Sequence, residues 1–183
     1  WQSAVDAANG LEYAGHDDWR LPNVNELETI VDFGRAEPAL DPLAFPGAGA
    51  PISPYLWSST TLPSDPRLAY YVNTRDGHAY PFGKPTVLMA RPVRTSGVQD
   101  PVAILATGQS TAYRGDDGGL GTGNRDDGDL RHGLAVRYDW TQDGDIDEAA
   151  ENVVLDENTQ LAWLRDPALV DGIICVDQFR LLY

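Results

Sequence analysis

Asp143, Asp145 and Asp147 alternate along the chain, with Glu148 and Glu151 close behind. Alternate carboxylates on a turn supply the roughly six to eight hard oxygens that Ca²⁺ takes from a flexible loop. Asn124, Asp126, Asp127 and Asp129 form a second set of the same type. Neither has EF-hand spacing: Gly144 falls between the first two acids, and no Glu stands at the loop's closing position. Asp and Gly also favour ordinary solvated turns, so a calcium loop and turn chemistry alone both fit. Arg91 and Arg94 are a further set, near the end of an apolar run. They either pair with acids across a sheet or hold a carboxylate ligand.

Catalytic chemistry is poorly supplied. His16, His78 and His132 have no partners at a recognisable spacing, and no nucleophile-elbow or phosphate-loop pattern occurs. The Asp pairs sit in Gly-rich turns, where no burial is expected to raise a carboxyl pKa. Cys175 is the only cysteine, which excludes an internal disulfide and a thiolate zinc site. These residues read as a chain that is not an enzyme.

Charge narrows the partners. The 183 residues carry 28 acids against 13 bases, a net charge of -15, and Lys84 is the only lysine. Such a surface repels phosphate backbones, so nucleic acid is not an expected partner. Anionic glycans and anionic lipid surfaces are disfavoured for the same reason. Cations, neutral sugars and proteins stay open. No apolar run is long enough to cross a membrane, so no membrane insertion is expected. No signal peptide is visible. Trp1 opens abruptly in an amphipathic pattern, as a processed or partial piece of a longer protein would.

The elements that must position these groups follow from periodicity. Apolar residues at Trp1, Ala4, Val5, Ala8, Leu11 and Ala14 predict a helix over 1–14, stopped by Gly15 and weakened at Gly10. Asn23 reads as an N-cap with Glu26 as its capping-box partner, opening a second helix over Val24–Phe33 that buries Leu27, Ile30 and Val31 and ends at Gly34. Residues 35–56 read as a long irregular loop. Strands are expected at Tyr55–Thr61 and Leu68–Thr74. The turn Arg75-Asp76-Gly77 then leads into a returning His78–Phe82. Val87–Arg94 reads as a further strand. Beyond Val98 the chain is turn-rich, with short apolar runs at Val102–Leu105 and Leu134–Tyr138. A hairpin is expected from Asn152–Leu155 and Gln160–Leu164 through a turn at Asp156–Thr159, and strand-like residues from Gly172 to Tyr183.

Asp17-Asp18-Trp19-Arg20-Leu21-Pro22-Asn23, then Glu26-Leu27, Trp57-Ser58-Ser59-Thr60 and Arg91-Pro92-Val93-Arg94, resemble the DUF1566 family, also called the Lcl C-terminal domain. Thr107-Gly108-Gln109-Ser110, Tyr113, Asp116-Asp117-Gly118, Asp143-Gly144-Asp145 and Val154–Trp163 resemble the part that opens family members. Here that part follows the other. Two arrangements fit: the end of one repeat joined to the start of the next, or a permuted order within one fold. The domains are accordingly drawn as 1–97, the two helices and terminal strands, and 98–183, the acidic loops and opening hairpin.

The resemblance implies an α+β, C-type-lectin-like domain, a twisted antiparallel sheet with two helices and long irregular loops, related to the formylglycine-generating-enzyme fold. Leu21 and Trp19 would pack into its core, and Arg20 would bond loop carbonyls. Trp57 would be a core residue or, alternatively, a sugar-stacking one. Family members often carry two cysteines where this chain has Ala8 and Pro92. Their joint absence removes about 2–4 kcal/mol if they formed one bridge. The implied function is non-enzymatic adhesion or recognition, secreted or at the cell surface, with glycans, surface proteins or other copies of itself as partners and Ca²⁺ as a stabilising ion. The ligand candidates are Tyr55, Trp57, Tyr71, Arg75, His78 and Tyr80. A second reading is a filament subunit assembled head to tail, in which strand 152–163 closes the sheet beside 87–94 of a neighbour. A third, an oxidoreductase of the formylglycine-generating type, needs a cysteine pair.

Overall fold

The computed structural model describes residues 1–45, 54–95 and 104–135, together with the backbone of three strands beyond them. The chain divides into two compact units, Trp1–Leu134 and Ala135–Tyr183. The first holds α1 (Gln2–Asn9), α2 (Val24–Glu28), β1 (Tyr55–Thr61), β2 (Leu68–Asn73), β3 (Ala79–Gly83), β4 (Tyr113–Arg114), β5 (Gly119–Leu120) and α3 (Asp127–Leu130). The second holds β6 (Tyr138–Asp139), β7 (Val153–Asp156) and β8 (Leu161–Leu164). The architecture is α+β, with short helices and small antiparallel sheets.

The sheet β1-β2-β3 organises the first unit. Its register sets Trp57 opposite Tyr71 opposite Tyr80, and Leu56 opposite Val72 opposite Ala79. Strand alternation therefore sends these two rows to opposite faces. Each face meets a helix. Trp57 and Ala69 pack with Trp1, with Val5 and Ala8 of α1, and with Leu21. Leu56 and Val72 pack with Leu27 of α2 and with Leu40. Burying each large apolar side chain contributes about 1.5–3 kcal/mol, so both cores are needed to hold the sheet.

Both helices are shorter than their periodicity suggests. α1 stops at Asn9, where Gly10 closes it with its amide on the Asp6 carbonyl. The chain then turns tightly at Tyr13–His16, with Ala14 and Gly15 at positive φ. α2 opens as expected: the Asn23 side chain accepts from the Glu26 amide, and the Glu26 carboxylate accepts from the Asn23 amide. It ends at Glu28 rather than Phe33, because the Asp32 amide is drawn to the Ala39 carbonyl and the chain doubles back. Phe33 is left exposed. Trp19 also departs from expectation. It is half-buried outside the two cores, with its indole N–H on the Tyr13 carbonyl.

Val87–Arg94 is not a strand. It makes two isolated bridges, Met89 with Leu56 and Val93 with Arg20. Pro92 has no amide to donate between them, so no ladder can run through. Of the runs Val102–Leu105 and Leu134–Tyr138, Leu105 bridges Leu134 and Tyr138 opens the short β6, while Val102, Ala103, Val136 and Arg137 lie outside the described residues.

The first compact unit extends past the boundary drawn near residue 97. Its later part wraps α1. The Gln2 amide donates to the Asp116 carboxylate, the Gln2 side chain accepts from the Gly115 amide, and Asn9 donates to the Asn124 carbonyl. Gly118 makes the closest approach. Its φ is +78°, and a Cβ there would lie 2.6 Å from the Pro66 carbonyl oxygen, so only glycine fits.

In the second unit β7 lies between β6 and β8, all antiparallel, which is the hairpin expected from sequence with one more strand added. Glu157 to Thr159 and Gly172 to Tyr183 lie outside the described residues.

Candidate functional site

Tyr55, Tyr71 and Tyr80 share one face of the β1-β2-β3 sheet, and Phe82 joins them. Tyr71 stands at the centre. Its ring centroid is 5.3 Å from Tyr55, 5.9 Å from Tyr80, 6.1 Å from Phe82 and 6.3 Å from Trp57. Several of these contacts are edge-to-face, the geometry ring quadrupoles prefer. Trp57 is 1% exposed and belongs to the core beneath; its part is to support Tyr71. Tyr80 is 40% exposed and Phe82 49%, so the outer edge of the cluster is open.

Polar groups ring this platform. Asp76 accepts from the Asn73 side chain at 2.8 Å, from the Tyr80 hydroxyl at 3.4 Å and from the His78 amide at 3.0 Å. The His78 ring lies 6.3 Å from Tyr80. Arg75 is exposed in the same turn, its amide on the Asn73 side chain. Burial, with the neighbouring Tyr55, Tyr80 and Asp76, raises the Tyr71 hydroxyl pKa, so it stays a neutral donor. The turn itself depends on Gly77, at φ +77°, where a Cβ would strike Val31. Sequence reasoning missed Phe82, although its place two residues after Tyr80 puts it on the same face.

The acidic residues are differently employed. Asp126 is fully buried and caps α3. One carboxylate oxygen accepts the Tyr113 amide at 2.9 Å and the other the Asp129 amide at 3.1 Å. Asp127 accepts from the hydroxyls of Thr60 at 2.7 Å and Thr107 at 2.5 Å. Asn124 bridges Gln2 and the Tyr113 carbonyl, and Asp129 accepts the Arg125 amide. Among the described residues no group of His, Cys, Asp or Glu is arranged to hold a metal ion. Asp143, Asp145 and Asp147 lie outside the described residues.

Burial of these acids overturns the expectation that Gly-rich turns leave carboxyl pKa values unshifted. Burial pushes Asp126 up to about 6, against the pull of its two amides. It raises Asp127 too, partly offset by the two threonine hydroxyls. The burying surfaces come from distant parts of the chain, which local composition does not show.

Arg20 also differs from expectation. Rather than bonding loop carbonyls with its guanidinium, it grips Glu26 through two bonds of 2.7 and 2.6 Å. Arg94 pairs with Asp18 at 2.7 Å, the acid-pairing alternative for that residue.

The Lcl C-terminal domain family matches residues 1–94 of this chain. The match ends at Arg94, before the acidic loops. No curated protein and no solved structure matches the chain.

Proposed function

We infer, from the fact that the chain belongs to the Lcl C-terminal domain family, that it is a non-enzymatic recognition domain working outside the cell or at its surface. Its α+β fold is read as C-type-lectin-like, because one antiparallel sheet receives a helix against each face. The packing of residues 104–134 in the same unit as 1–94 favours a permuted order within one fold over a junction of two repeats.

The observation that carries the reading is the aromatic face. Four rings, Tyr55, Tyr71, Tyr80 and Phe82, meet beside a single carboxylate, Asp76, and neutral hydroxyl and amide groups. Apolar ring faces accept the C–H faces of a sugar, while Asp76 and Asn73 suit its hydroxyls. The net charge of -15 directs the choice to neutral glycans rather than sulfated ones. A neutral-glycan array at physiological salt tests this. Specific hits that weaken about tenfold in Tyr80→Ala and in Phe82→Ala, with melting temperature unchanged, are the expected result. An array without hits sinks it.

The filament reading draws less support. β7 already has β6 and β8 as partners, and Met89 and Val93 bond Tyr55, Trp57 and Arg20. Pro81 lies in β3, and proline blunts a strand edge against addition.

A further inference from the structure

A cleft of about 640 Å³ lies on the first unit, away from the aromatic face, between α2, residues 91–95 and the turn at His132–Leu134. That volume suits a small organic ligand. Leu27, Ile30, Phe45, Val93, Ile104 and Leu134 give it an apolar lining.

Three arginines also line it: Arg20, Arg91 and Arg94. Two are already neutralised, Arg20 by Glu26 and Arg94 by Asp18. Arg91 is not. Among the described residues it has no carboxylate partner, and its Nε is buried without a hydrogen bond. Its guanidinium carbon lies 5.2 Å from the centre of the Phe45 ring, which holds the group over the cleft's apolar wall. A buried donor left unsatisfied costs about 1–3 kcal/mol, and more when it is charged. A planar carboxylate is the group that matches a free guanidinium fork. In a chain with 28 acids and 13 bases, an unclaimed buried-side arginine marks a place for an acid from outside.

We propose that this cleft binds a small carboxylate with an apolar body, its carboxylate held by Arg91 and its hydrocarbon lying against Ile30, Phe45 and Leu134. His132, also in the lining, adds a neutral imidazole, since burial and the nearby Arg20 lower its pKa.

Calorimetric titration of the whole chain with sodium octanoate, 1-octanol and octylamine tests this. Octanoate is expected to bind at least about tenfold more tightly than octanol, and octylamine least. Arg91→Gln should erase the preference for octanoate while octanol still binds; Arg94→Gln should keep it. Equal binding of octanoate and octanol, no binding of either, or a preference that survives in Arg91→Gln would each overturn the proposal. The three-ligand comparison on the unaltered chain stands even if a variant fails to fold.

Discussion

Glu26, part-buried, and Asp127, buried, are carboxylates of the first unit held in place by opposite means. Glu26 faces a full positive charge in a two-bond grip from Arg20. Burial pushes its carboxyl up, but Arg20 and the Asn23 amide more than offset that, and its pKa ends below the usual value. The hydrogen bonds to Asp127 come from threonine hydroxyls and those to its neighbour Asp126 from amides, with Arg20 and Lys84 attracting them only weakly and without contact. Both end above the usual carboxylate value. Partial dipoles satisfy a buried oxygen's geometry without fully compensating its charge. The matched segment 1–94 thus uses an ion pair where the acidic segment uses a hydrogen-bond network.

The largest test breaks the ion pair. Arg20→Ala should cost about 3 kcal/mol in urea unfolding at pH 7, because the part-buried Glu26 would lose its partner and the packing of the buried Arg20 side chain would go with it. Neutral isosteres sharpen the contrast. Glu26→Gln should cost about 2–3 kcal/mol, since Arg20 loses its counter-charge. Asp127→Asn should stay within about 1 kcal/mol, since it removes a charge the site compensates poorly and keeps one acceptor for a threonine hydroxyl. Similar costs for the two isosteres would erase the distinction.

Proton linkage separates the sites further. Asp126 has a folded pKa of about 6 against an ordinary 3.8, so between these values the folded chain holds a proton the unfolded chain has released. Stability from this group is present at the acid end and is lost as pH rises through that window. Glu26 runs the other way: its contribution is present above about 4.5 and is lost as pH falls through its lowered folded value. The melting temperature should therefore rise from pH 7 to about pH 5 and fall at still lower pH. Asp126→Asn should flatten the rise and leave the acid fall. A rise of equal size in that variant would assign it to relief of general charge repulsion. The smallest effect is expected at the open platform, where Tyr80→Ala should change stability by less than about 0.5 kcal/mol.

Much of this was legible locally. The Asn23–Glu26 capping box, strand β1 to its end residues and the turn at Arg75–Gly77 are written in short stretches of chain. So was most of the aromatic face, because Tyr71, Tyr80 and Tyr55 fall on one side by simple alternation. What sequence could not give were partners distant along the chain. Asp127 finds Thr60 from β1, 67 positions away, and Thr107 from the loop before β4. The set Asn124 to Asp129 has the composition of a cation loop, and several of its oxygens accept from amides and side chains of the same chain. Composition states which oxygens exist, and packing decides what they accept.

Tyr113 is the only buried apolar side chain among described residues 104–134. A segment so poor in apolar burial cannot offset its own ordering entropy. Its shape is borrowed from Gln2, Thr60 and Pro66, all made earlier on the ribosome. During synthesis the acidic loops should therefore emerge onto a sheet already able to receive them, and stay unfolded if that sheet is missing. The order of the segments in the gene is then also an order of assembly.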